Sequence, residues 1–258
     1  MTSTHIFPLK TLMAIIVCFS ASGLQAQTTV EVSYYKPLEA AGGGLASENV
    51  AYMLRCDSRH SLFVFVAADA VLSVDELAWD KYDMNVWLGE EEHWLYKDLT
   101  GRSLTEFVTT IQENRYLVED TVHPMTWEIL SETKYIAGML VKKARCEHRG
   151  RAYTAWFAPG IPLSNGPWKL GGLPGLILEA YDDEKEVVFL FKSIRQMNGP
   201  AIVKPDSRAR SVTMRTYLEE SEKEMRQYME FMEARMKAAG ADVDVEFDTK
   251  YTFWEYIK

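Results

Sequence analysis

The polar breaks between apolar runs in this chain are too short for anything but antiparallel pairing. Tyr52, Leu54 and Cys56 alternate with Met53 and Arg55, and four polar residues, Asp57-Ser58-Arg59-His60, lead into Leu62-Phe63-Val64-Phe65-Val66. A period of two marks a strand whose two faces meet different surroundings. A four-residue break closes a hairpin, because a parallel return needs a crossover of a dozen residues or more. Val30, Val32 and Tyr34 alternate with Glu31 and Ser33 in the same way. Further β-type runs cover residues 94–99, 104–111, 115–120, 126–130, 136–143, 152–157, 175–181 and 187–194, the last two joined by the acidic break 182–186.

One region departs from that period. Between residues 212 and 239 the apolar positions Met214, Leu218, Met225, Met229, Met232 and Met236 recur at spacings of three, four and seven, with Glu, Lys and Arg between them. That is the pattern of an amphipathic helix, with Gly240 placed to end it in a left-handed turn. The expected fold is therefore α+β: a large, curved, antiparallel β-sheet with a long C-terminal amphipathic helix packed on it. Residues 198–207 link sheet and helix, and Gly42-Gly43-Gly44 makes a loop after the first strand. No internal repeat or composition break divides the chain further.

Residues 1–26 read as a secretory signal peptide, which leaves 27–258 as a single domain. Lys10 precedes a short apolar run, residues 11–19, followed by small and polar residues up to Ala26. The run is about half the length of a membrane-spanning helix. Large residues before Cys18 argue against a lipid anchor there. The expected compartment is the periplasm, with the cell surface or the exterior as alternatives, and no transmembrane segment is expected in the mature chain. Two cysteines lie beyond the signal, Cys56 and Cys146. In an oxidising compartment a disulfide between them and two buried free thiols are both open. The net charge of -9 disfavours nucleic acid as a partner, since it requires a cationic footprint. A hydrophobic content of 47% supports a packed core and excludes a disordered chain.

Catalytic and cofactor motifs are not found. The chain has no Gly-x-Ser-x-Gly elbow, no His-Glu-x-x-His pair, no phosphate loop and no dinucleotide fingerprint, so no cofactor and no catalytic residue is assigned. Cys56, His60, Cys146 and His148 would make a zinc site if they converged, but their spacing is not that of a zinc finger. The helix methionines are soft ligands suited to copper, although a single face of them reads first as core packing. A hydrolase would need a nucleophile or paired carboxylates around Glu128, Glu179 or His148.

The most distinctive stretch is 150–182. From Pro159 to Gly175, nine of seventeen residues are glycine or proline, interleaved with Ile161, Leu163, Trp168, Leu170 and Leu173. Proline sets φ and glycine opens positive φ, so the path is a series of turns, while the apolar side chains require it to be packed. Within it, Gly172-Leu173-Pro174-Gly175-Leu176-Ile177 spells a hexapeptide. With the Gly150-Arg151 strand, Ala155-Trp156, Ile161-Pro162, Gly166-Pro167 and the upstream Trp127, it resembles the GLPGLI family of exported Bacteroidota proteins. The resemblance implies an envelope location and work near TonB-dependent uptake systems, and it supplies no catalytic residues.

Two readings of the segment follow. It caps the sheet, or it forms a rigid rim that presents Arg151, Trp156, Trp168, Leu173 and Pro174 to a ligand or partner. The leading expectation is an exported envelope accessory protein without catalytic activity. It would bind an apolar ligand, a peptide or an envelope or outer-membrane protein partner beside this segment. An envelope hydrolase and a zinc- or copper-handling protein are the alternatives.

Overall fold

A computed structural model describes residues 28–39, 45–66, 93–198 and 200–238. The segment read as a signal, the Gly42–Gly44 loop and Gly240 lie outside the described residues. Twelve strands and one helix follow one another in the order β1 (Thr28–Glu39), β2 (Leu45–Cys56), β3 (His60–Val66), β4 (Trp94–Asp98), β5 (Ser103–Thr109), β6 (Arg115–Thr121), β7 (Glu128–Ile136), β8 (Met139–His148), β9 (Arg151–Ala158), β10 (Leu176–Asp182), β11 (Val188–Asn198), β12 (Arg210–Thr213) and α1 (Met214–Ala238). The strands form one sheet in the order β12-β6-β5-β4-β3-β2-β1-β11-β10-β9-β8-β7, antiparallel except for β12 beside β6. The α+β class and the curved antiparallel sheet expected from the alternation are thus both present.

The sheet consists of two meanders joined by β11. Val188 and Phe189 pair with Tyr181 and Ala180 of β10, whereas residues further along pair with β1 from Tyr35 back to Thr28. A bulge opposite Ser33 and Tyr34 leaves Lys192 without an opposing residue and bends β11 as it passes between the two halves. Both meanders then face one core. Val32, Tyr34, Leu54, Phe63 and Leu95 of the first half pack with Val141, Ala155, Phe157, Leu178 and Phe189 of the second. The Tyr34 hydroxyl crosses this core and donates to the Ile177 carbonyl at 2.7 Å.

The Gly-Pro segment lies within that core. Trp168, Leu170 and Leu173 are buried among the inward side chains of both halves. The hexapeptide has a structural explanation at each glycine. Gly172 has φ +88, and a Cβ on Gly175 would sit 2.4 Å from the Ala158 carbonyl oxygen. Between them Leu173 is 1% exposed, and Leu176 and Ile177 begin β10. The segment is tethered at 2.8 Å by the Trp127 indole, which donates to the Gly171 carbonyl.

The helix forms where expected, starting on a Thr213 cap whose hydroxyl accepts from the Thr216 amide. It packs on the sheet at the edge formed by β12 and β6. Its main contacts are with β6 and β12, with Met214 and Tyr217 against Val108 of β5 and Tyr116 and Val118 of β6. Glu224 is buried and accepts from Asn114 Nδ2 at 2.9 Å and from the Tyr116 hydroxyl. Met225, Met229 and Met232 stay only half-buried, and Phe231 is exposed. The main-core face is already filled by the Gly-Pro segment, and residues leading to β12 place Ile202 on Met53, Val64 and Trp94 of the other face. That leaves the edge of the sheet for the helix.

The two cysteines lie apart in the sheet. Cys56 on β2 and Cys146 on β8 are buried free thiols, so the disulfide left open by the sequence is not formed. Four strands, β1, β11, β10 and β9, separate theirs in the sheet. Burial pushes both thiols up to about 12, so neither is a thiolate at neutral pH.

Candidate functional site

Antiparallel register decides which side chains of the first meander meet the Gly-Pro segment. Phe63 pairs with Leu95, Leu95 with Glu106, and Lys97 with Leu104, so these five residues share one face of β3, β4 and β5. The segment crosses that face and is held by two lysines pointing in opposite senses. Lys169, from the segment, reaches down to Glu106 at 2.8 Å. Lys97, from the sheet, reaches up and donates to the carbonyls of Gly166 and Leu170 at 3.1 and 3.0 Å.

On one side of this crossing lies an apolar cavity of about 180 Å³. Tyr52, Phe63, Phe65 and Phe189 form its aromatic wall, and Trp168 closes it from the segment. The Tyr52 and Phe63 rings stack at 5.5 Å, and Phe189 meets both edge-on at 5.2 and 5.6 Å. Such interlocked rings have few alternative rotamers, so the cavity is shaped in advance. Trp168 adopts φ +50, a left-handed turn that aims its ring inward beside the Lys169 ammonium, which lies 5.0 Å from the ring centroid. His93, Trp94 and Leu95 complete the lining.

A charged trio adjoins this cavity. Glu106, 2% exposed, binds His93 Nε2 at 3.0 Å and Lys169 Nζ at 2.8 Å. Burial alone would raise its carboxyl, but Lys169 and His93 outweigh that and hold it well below the usual carboxylate range. Glu106 therefore stays ionised and acts as an anchor for the segment.

A polar cavity of about 420 Å³ opens on the other side. Lys97, Lys169, Asn165, Ser58, Arg102 and His123 contribute its polar groups. Lys97 is 1% exposed, and burial pushes its amine down to about 7 from the usual 10.5. Cys56 gives it no counter-charge near neutrality, because that thiol is itself held protonated.

The residues singled out from sequence are dispersed among these features. Trp168 lines the apolar cavity. Leu173 is core and Pro174, beside it, is exposed. Arg151 is committed to Asp182 at 2.6 Å and Glu186 at 2.5 Å, which ties β9 to the β10–β11 turn. Trp156 is half-buried under the Lys134 ammonium. Among the described residues no group of three or more His, Cys, Asp or Glu side chains is placed to hold a metal ion. Glu128, Glu179 and His148 line neither cavity, and Glu179 is paired with Lys134. No described helix is long and apolar enough to cross a membrane.

Comparison with known proteins agrees with a fold assignment and leaves the chemistry open. A family model described as a protein of unknown function (Porph_ging) matches residues 146–179, from the end of β8 through the Gly-Pro segment into β10. No curated protein matches the sequence. Two solved structures of PNGF-II, in C2 and P21 space groups, superpose with a TM-score of 0.51 and 17% identity. They cover 74% and 75% of this chain but 32% of PNGF-II, so this chain spans about a third of that protein's length. At that identity the likeness is one of fold.

Proposed function

We propose that the protein is an exported accessory of the bacterial envelope, of the GLPGLI type, whose aromatic cavity takes an apolar group of a ligand or peptide. One observation carries this reading: an apolar cavity lies beside the Gly-Pro segment, with Trp168 of that segment as one wall. A filled core at that place would have argued for a purely structural segment. The volume, about 180 Å³, also limits the occupant. An apolar cavity of about 150 Å³ suffices for benzene, so one aromatic ring or a short branched chain fits, and a full lipid tail does not. The signal-like residues 1–26 and the hexapeptide support an envelope location, and the family resemblance extends this to work beside TonB-dependent uptake.

The test is a titration of the protein with toluene and with indole, read by tryptophan fluorescence and by methyl resonances. Saturable binding is expected, weakened at least tenfold in Trp168→Leu. An absence of saturable binding to the wild-type protein, or binding indifferent to Trp168→Leu and to Phe189→Leu, would sink the reading.

A further inference from the structure

We infer that the polar cavity around Lys97 and Asn165 is a binding site for a small organic carboxylate. The site is separate from the aromatic cavity, and the inference does not depend on what that cavity holds.

Lys97 is a buried cation with no carboxylate partner among the described residues. Its two hydrogen bonds go to the Gly166 and Leu170 carbonyls. In its protonated form the amine has three donors and a positive charge, and two neutral acceptors leave both the last proton and that charge uncompensated. The acidic groups on neighbouring elements are committed elsewhere. Glu106 is held by Lys169 and His93. Asp120 pairs with Arg149 at 3.0 Å and with His123 at 3.3 Å. Asp57 accepts the Arg59 and His60 amides at 2.6 and 2.7 Å.

The second observation is independent. Asn165, 1% exposed, lines the same cavity, and its Nδ2 has no hydrogen-bond partner among the described residues. Its Oδ1 is engaged, accepting from the Gly166 amide at 2.9 Å, which fixes the amide group so that the nitrogen is the free end. A buried donor without a partner bears its desolvation cost uncompensated and calls for an acceptor. Lys97 and Asn165 thus offer donors from one wall of the cavity, which suit the two equivalent oxygens of a carboxylate; Lys169 and His123 on the same lining are neutralised by Glu106 and Asp120, and the exposed Arg102 adds a further cation. The size of the cavity, about 420 Å³, admits the organic body of such an acid as well as its carboxylate.

The inference is tested on the full-length chain with acetate and glutarate as probes, compared with inorganic phosphate and chloride at constant ionic strength. Binding is read by titration calorimetry and by the thermal midpoint. The carboxylates should bind saturably and raise the midpoint. Asn165→Asp keeps the acceptor for the Gly166 amide and turns the free donor into an anion, so it should weaken carboxylate binding at least tenfold while the near-ultraviolet spectrum stays native. Lys97→Met should abolish binding. Three results would overturn the inference: no saturable effect of either carboxylate, carboxylate binding that persists in a folded Asn165→Asp or Lys97→Met protein, or phosphate binding more tightly than the carboxylates.

Discussion

The Gly-Pro segment and the C-terminal helix were both expected to lie on the sheet, and they do so to very different degrees. The segment has no regular secondary structure over most of its length, yet it inserts Trp168, Leu170 and Leu173 into the main core. The helix has a regular apolar stripe, yet Met225, Met229 and Met232 remain half-buried at the edge. Periodicity states which side chains share a face. How much of that face is buried depends on what already occupies the surface it would pack against, and here the segment fills the main core.

The contrast can be broken experimentally, most sharply at Gly175. A Cβ there would lie 2.4 Å from the Ala158 oxygen, where only backbone movement relieves the clash. Gly175→Ala is expected to cost about 4 kcal/mol, measured by urea unfolding. Leu173→Ala removes a fully buried side chain from the same core and is expected to cost about 3 kcal/mol. Met229→Ala in the helix should cost less than about 1 kcal/mol by the same measurement, because its site is already partly solvated. If Met229→Ala cost as much as Leu173→Ala, the helix would be part of the core and the comparison would fail.

The tether between segment and sheet makes a prediction of its own. The folded-state value of Lys97 lies below its unfolded value, so between about pH 7 and 10.5 the unfolded chain binds the extra proton. Stability from this group therefore rises with pH through that window, and its burial opposes folding in full below it. His148, lowered by burial and then by Arg149, His123 and Lys169, contributes in the same direction below its ordinary value of 6.5. The buried thiols act oppositely above pH 9, since their folded values exceed the unfolded ones. Replacing Lys97 with Met should flatten the rise between pH 6 and 8.5. It should also stabilise the protein at pH 6 by about 1–2 kcal/mol, after allowance for two carbonyls that lose their donor. Urea unfolding at both pH values checks this, and an unchanged slope would place the protonated amine in water.

The strand positions were largely legible, because alternation and short breaks are local properties. The site was not. Lys97 follows Trp94, Leu95 and Tyr96, so both faces of β4 are apolar and the alternation does not say which one meets the core. Glu106 sits between Thr105 and Phe107, all three buried, for the same reason. An inward lysine and an inward glutamate on adjacent strands were the available signal, but it becomes readable only once the register pairs Leu95 with Glu106. Glu31 teaches the same lesson on the opposite face. Read as a solvent-facing partner to Val30 and Val32, it is buried and bound to Arg195 at 2.7 Å, with Arg55 at 3.6 Å.

By itself the sequence determined the antiparallel class, the hairpin order within each meander, the helix and the turning path of the Gly-Pro segment. Each follows from interactions within a few residues: φ limits at proline and glycine, the two-residue period of strands and the short reach of a hairpin. Only the tertiary structure decided that β11 pairs with β1 and so joins the two meanders, that β12 pairs in parallel with β6, that the cysteines stay apart and that the segment fills the core. Those outcomes rest on contacts between residues distant in sequence, such as Tyr34 with Ile177 and Lys97 with Leu170, whose free energy depends on what else competes for the same surface.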